Sequence, residues 1–139
     1  MDGNFSSEQQ KVLDIANKYF LREANGDQEK ANELMGKLAT TVQDPGAKIV
    51  VIDDILFLIL VKGKGAVEVH TMADELMPSN MVEGFKKLAK YLQSIGVTLA
   101  YTYTEDRRFA RIARQTKLPI KEVKQDIDGK PMYIYIVEF

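Results

Sequence analysis

The chain of 139 residues has no cysteine, and only one histidine, His70. Without cysteine there are no disulfides, no thiolate zinc sites and no cysteine nucleophile. A single imidazole excludes a multi-histidine metal site within one chain, so no metal is expected. A dominant charge sign is also missing: 19 basic residues face 20 acidic ones, for a net charge of −1. That balance gives no global attraction to nucleic acid or to an anionic membrane. The longest apolar run, Ile55-Leu56-Phe57-Leu58-Ile59-Leu60-Val61, is too short to span a bilayer. The start, Met1-Asp2-Gly3-Asn4-Phe5, has neither the basic opening nor the apolar core of a signal peptide. Residence in the cytoplasm, or within a cytoplasmically assembled virion, is therefore expected.

What is present is the composition of an ordinary globular protein, 45% hydrophobic and 28% charged, sized for a single domain over residues 1–139. The centre of the chain, 47–104, organises the rest. The apolar run is rich in β-branched residues and reads as a strand buried on both faces. Strands are expected at about 47–53, 55–62 and 66–72, with Gly63 and Gly65 in the tight turn between the last two. The same Gly63-Lys64-Gly65 is a poor phosphate cradle, because no helix follows to offer amide donors. Two helices precede the strands. Ser6 with Gln9, or Ser7 with Gln10, fits a capping box, and Val12, Ile15, Ala16, Tyr19 and Phe20 recur at helical spacing. Asn25-Gly26 is a left-handed stop, and Asp27 caps a second helix with Ala31, Leu34, Met35 and Leu38 on its apolar stripe.

After the strands, Asn80 and Glu83 read as the start of a helix over about 81–95, with Phe85, Leu88, Ala89, Leu92 and Ile95 inward. Residues 97–104 alternate as a strand, with Tyr101 and Tyr103 on one side. Asp106 opens a short basic helix with Phe109, Ile112 and Ala113 inward, which Lys117-Leu118-Pro119 ends. Two strands, about 120–125 and 132–139, flank the hairpin signal Asp128-Gly129. Arg107, Arg108, Arg111 and Arg114 form the densest basic cluster; near-neutral overall charge reads it as a solvated helix face without a specific nucleic-acid signal.

The segment Met81-Val82-Glu83-Gly84-Phe85-Lys86-Lys87-Leu88-Ala89-Lys90-Tyr91-Leu92, followed by Ile95-Gly96-Val97 and a strand, resembles the cofactor helix and fifth strand of the GCN5-related N-acetyltransferases. Glu105-Asp106-Arg107-Arg108-Phe109-Ala110-Arg111-Ile112-Ala113 with Lys117-Leu118 resembles that superfamily's next motif. The likeness covers nearly the whole chain, less the family's first strand. It implies an α/β fold: a mixed, mostly antiparallel sheet flanked by helices, with a cofactor notch between 66–72 and 97–104. It also places Thr71, Met72, Ser79, Asn80 and Asp106 at cofactor-binding positions.

The departures from the family pattern define two readings. The loop Asp74-Glu75-Leu76-Met77-Pro78-Ser79-Asn80 lacks the glycines and the basic residue with which the family holds a pyrophosphate; Pro78 offers no amide. The family's tyrosine acid falls at Ala113. In one reading, acetyl-CoA binding is lost, no cofactor is held, and the chain is a binding or structural module, with a protein partner, of the kind encoded by bacteriophages. In the other it is a working N-acyltransferase using acetyl-CoA. Its catalytic candidates are then Glu68 and His70, two apart on one strand face, where a carboxylate beside an imidazole can deprotonate an amine. Alternatively these two residues are the polar face of a half-exposed strand. The β-prone end Tyr133-Ile134-Tyr135-Ile136-Val137-Glu138-Phe139 either completes the sheet or pairs with a second copy in a homo-oligomer.

Overall fold

The computed structural model describes residues 7–73, 81–105 and 109–139. Its elements in chain order are α1 (Ser7–Glu23), α2 (Gln28–Thr41), β1 (Ala47–Ile52), β2 (Ile55–Gly63), β3 (Ala66–Ala73), α3 (Met81–Ser94), β4 (Leu99–Thr104), α4 (Phe109–Gln115), β5 (Ile120–Ile127) and β6 (Lys130–Glu138). The fold is α/β, a mixed and mostly antiparallel sheet flanked by helices. Among the described residues six strands are bonded in the order β1-β2-β3-β4-β6-β5. By contacts the chain divides into two compact units.

One unit comprises the chain up to Leu58 and the short run from Thr71. Here α1 buries Ile15, Ala16 and Phe20, and α2 buries Ala31 and Leu38. The stop after α1 is a Schellman closure. Gly26 N–H donates to Leu21 O at 2.9 Å and Asn25 N–H to Arg22 O at 3.1 Å, with Asn25 at φ 55°. Asp27 caps α2, its carboxylate accepting from Lys30 N–H at 3.2 Å. Asp53 and Asp54 both take positive φ, 51° and 65°, the backbone that a two-residue type I′ hairpin requires. Lys11 on α1 meets Asp54 at that turn, 2.5 Å away. Beyond it Ile55, Leu56 and Phe57 are wholly buried, as expected of a strand covered on both faces.

The other unit comprises Ile59–His70 and the chain from α3 onward. The turn at 63–65 joins β2 to β3, and the carbonyl of Gly65 accepts from Thr98 N–H at 2.8 Å and Leu99 N–H at 3.1 Å. α3 buries Met81, Gly84, Leu88, Ala89 and Leu92. Ile95, expected inward, is instead 51% exposed. The reason is the way the helix ends. Val97 N–H donates to Leu92 O at 3.0 Å and Gly96 N–H to Gln93 O at 3.1 Å, with Gly96 at φ 90°. This second Schellman closure turns the chain at Ile95 and lets Val97 take the buried place. α4 ends similarly at Lys117, φ 60°, where the buried Thr116 hydroxyl donates to Ala113 O at 2.6 Å.

Asp128-Gly129 turns β5 into β6, at φ 52° and 79°, and eight register pairs run from Ile120–Val137 to Ile127–Lys130. One face of this β4-β6-β5 sheet lies against α3 and α4. Phe109 packs edge-on to Phe85, centroids 5.2 Å apart, and tilts against Tyr135 at 4.9 Å. Leu88, Leu92, Ala100, Ala113 and Tyr135 line an apolar cavity of about 70 Å³ there. Along the opposite face Leu99, Tyr101, Tyr103, Val123, Ile134 and Ile136 all keep some solvent exposure.

Candidate functional site

β3 and β4 run parallel, and their register pairs are Ala66–Leu99, Val67–Ala100 and Glu68–Tyr101. Both strands continue, but pairing stops at Glu68–Tyr101. The strands thus part at the position expected for the notch. Strand alternation carries His70 and Tyr103 onto the face shared by Glu68 and Tyr101. Four side chains with usable chemistry meet where the ladder ends.

His70 Nε2 lies 2.5 Å from Glu68 Oε2. The Glu68 side chain is only 11% exposed and the His70 side chain 33%. With the carboxylate ionised and the imidazole neutral, the ring donates from Nε2 to Glu68 and carries its lone pair on Nδ1. The Tyr101 hydroxyl also hydrogen-bonds to Glu68. Burial, and then the negative charge of Glu68, push the Tyr101 phenol above its ordinary pKa. Tyr103 is raised by the same two causes in the same order. Its ring stands edge-on to the His70 imidazole, centroids 5.8 Å apart. The outcome is a buried carboxylate with two donors, an imidazole at the surface, and an exposed aromatic ring beside it. Such an arrangement accepts a proton at His70 and holds the resulting imidazolium against Glu68.

Glu68 and His70, the two catalytic candidates from the sequence, are therefore in contact. Of the residues assigned to the cofactor, Met72 is buried. Thr71 buries an Oγ1 with no hydrogen-bond partner among the described residues. Ser79, Asn80 and Asp106 lie outside the described residues, as do Asp74, Glu75 and Pro78 of the glycine-free loop. Ala113 packs into the core with Tyr133 and Tyr135, and the Tyr135 hydroxyl is committed to Glu122 at 2.8 Å. Tyr101 and Tyr103 were not anticipated as site residues. Their alternation was visible and the resemblance set their strand beside 66–72, but the register that puts Tyr101 against Glu68 was not visible. Among the described residues no group of three or more potential ligands could hold a metal ion. Of the basic cluster, Arg111 and Arg114 are exposed on α4.

Comparison with solved structures identifies the architecture. An aminoglycoside 6'-acetyltransferase type Ii superposes with TM-score 0.64 at 17% identity, covering 99% of this chain and 94% of that one. A spermidine N-acetyltransferase from Vibrio cholerae, in complex with CoA and spermine, gives 0.64 at 9% identity over 99% and 93%. A ribosomal-protein-alanine N-acetyltransferase from Brucella melitensis gives 0.63 at 13% identity over 98% of each chain. The fold is that of the GCN5-related N-acetyltransferases. No protein-family model matches the sequence, and no curated protein does. At these identities the likeness is one of fold. None of the comparisons supports a loss of cofactor binding or a phage origin.

Proposed function

We propose that this chain is an N-acyltransferase that moves an acyl group from an acyl-CoA thioester to an amine. The observation that carries the reading is the 2.5 Å contact between His70 Nε2 and Glu68 Oε2, at the point where β3 and β4 part. His70 is the base, through Nδ1. Glu68 is the positioning residue, fixing the tautomer and stabilising the imidazolium after proton transfer. Tyr101 holds Glu68 from the next strand.

One feature fits an acyl-CoA. The register of β3 and β4 ends at Glu68 and Tyr101, so backbone groups of Val69 and His70 are open to a ligand amide. When bound, the thioester supplies the electrophilic carbonyl that an amine attacks. The residues of this chain supply the rest: His70 takes the proton that the amine loses as the C–N bond forms and the C–S bond breaks, the departing thiolate takes a proton from solvent, and Glu68 keeps the imidazole oriented.

The test is calorimetric titration with acetyl-CoA, followed by thiol release in the presence of amines. Micromolar binding, about −8 kcal/mol, with turnover that His70→Gln abolishes, is the expected result. Neither heat nor turnover would return the chain to the binding-module reading suggested by its glycine-free loop.

A further inference from the structure

The sheet face on which His70 opens is built in rows across the strands. Register places Tyr101 beside Glu68, Ile136 beside Tyr101 and Lys121 beside Ile136. The next row begins with His70 against Tyr103 and continues through Ile134 to Val123. At the usual strand spacing that row extends roughly 14 Å from the base. Tyr103 is 41% exposed, and Ile134, Ile136 and Val123 are each half-buried.

Among the described residues of this face charge is sparse and mixed in sign. The carboxylate beside His70, Glu68, is already bonded to it and to Tyr101. Glu105 lies 3.9 Å from Lys130 toward the β5–β6 turn. Glu138 sits beside Leu99, beyond Ile136 on the same strand. Lys121, across from Ile136, would repel a second positive centre. Among the described residues of this face, a body with several ammonium groups finds no line of acceptors leading away from the base. An apolar or aromatic body finds Tyr103, Ile134, Ile136 and Val123.

We propose that the acceptor is a monoamine on an apolar, preferably aromatic body, seated along the Tyr103–Ile134–Val123 row with its amine at His70. This rests on the acyl-transfer reading for its chemistry, but the surface is tested separately. The probes are 2-phenylethylamine and spermidine, each titrated by calorimetry without acetyl-CoA and then assayed with it by thiol release. The expected result is that 2-phenylethylamine is favoured over spermidine by at least about tenfold in kcat/KM. Val123→Glu, three strands from the base, should raise its KM about tenfold, leave kcat near the parent value and narrow the gap to spermidine. Tyr103→Ala should weaken its binding in the absence of acetyl-CoA. Circular dichroism and a thermal melt confirm that both variants fold. Binding that depends on Tyr103 and Val123 without turnover would support the surface and sink the acyltransferase reading. Turnover that is indifferent to Val123→Glu, or that prefers spermidine, would overturn this proposal and leave acyl transfer standing. A dimer that buries this face, and that Val123→Glu dissociates without changing the kinetics, would also overturn it.

Discussion

At His70 the chemistry depends on which ring nitrogen is free. Glu68 accepts from Nε2–H, so Nδ1 is left to take a proton, and the two residues have unequal roles. His70→Gln should lower kcat/KM by about 10²- to 10⁴-fold, the range for removal of a positioned base. Glu68→Gln keeps the shape but presents an amide that can satisfy the other tautomer; its loss, about 10²-fold, should appear in kcat more than in KM. Equal KM effects with unchanged kcat would show that neither acts in proton transfer. Tyr101 gives a prediction on stability. Burial and the Glu68 charge raise its pKa above the ordinary value of 10.0. Above that pH the unfolded chain releases the phenolic proton while the folded chain retains it. The native state then binds more protons, and stability falls as pH rises. Denaturant titrations from pH 8 to 11 should show a shallower alkaline decline for Tyr101→Phe than for the parent.

The elements are held by their ends, and this is where local chemistry can be altered most cleanly. A Cβ on Gly65 would lie 2.6 Å from the Thr98 Oγ1, in a residue at φ 75°. Gly65→Ala thus combines a clash with a left-handed backbone, and should cost about 1–3 kcal/mol in chemical denaturation. Lys117 closes α4 at φ 60°, a backbone region that costs a residue with a Cβ. Lys117→Gly should stabilise by roughly 0.5–1 kcal/mol; a loss instead would mean that the lysine makes a compensating interaction. These ends were largely legible in the sequence, because Asn25-Gly26, Gly96 and Asp128-Gly129 declare their backbone chemistry locally. Asp53-Asp54 was less so, since neither residue demands a left-handed turn by itself. Ile95 was misplaced because periodicity alone does not say where a helix stops. The Glu68–His70 pair was legible from spacing within one strand. Tyr101 and Tyr103 were not, because β4 reaches β3 only through a helical crossover, and parallel register is absent from local pattern.

Across the whole molecule, a common architecture at 9–17% identity to the enzymes compared above means that the course of the backbone is shared while most side chains are not. Such a fold does not by itself license an activity, so the decisive property is whether the folded state binds the acyl donor. Binding to the native state alone raises stability by mass action: acetyl-CoA at about 100 times its Kd contributes about 2.7 kcal/mol. For a chain of this size that corresponds to roughly 8 °C in the unfolding midpoint, read by a thermal melt over a ligand series. His70 is assigned to the amine, with no part in holding the donor. His70→Gln should therefore show the same acetyl-CoA-dependent shift as the parent while losing turnover. A shift that vanishes with His70 would make it a donor-binding residue and remove it as the base. A parent protein whose midpoint is unmoved at millimolar acetyl-CoA would leave the Glu68–His70 pair in need of a different occupant.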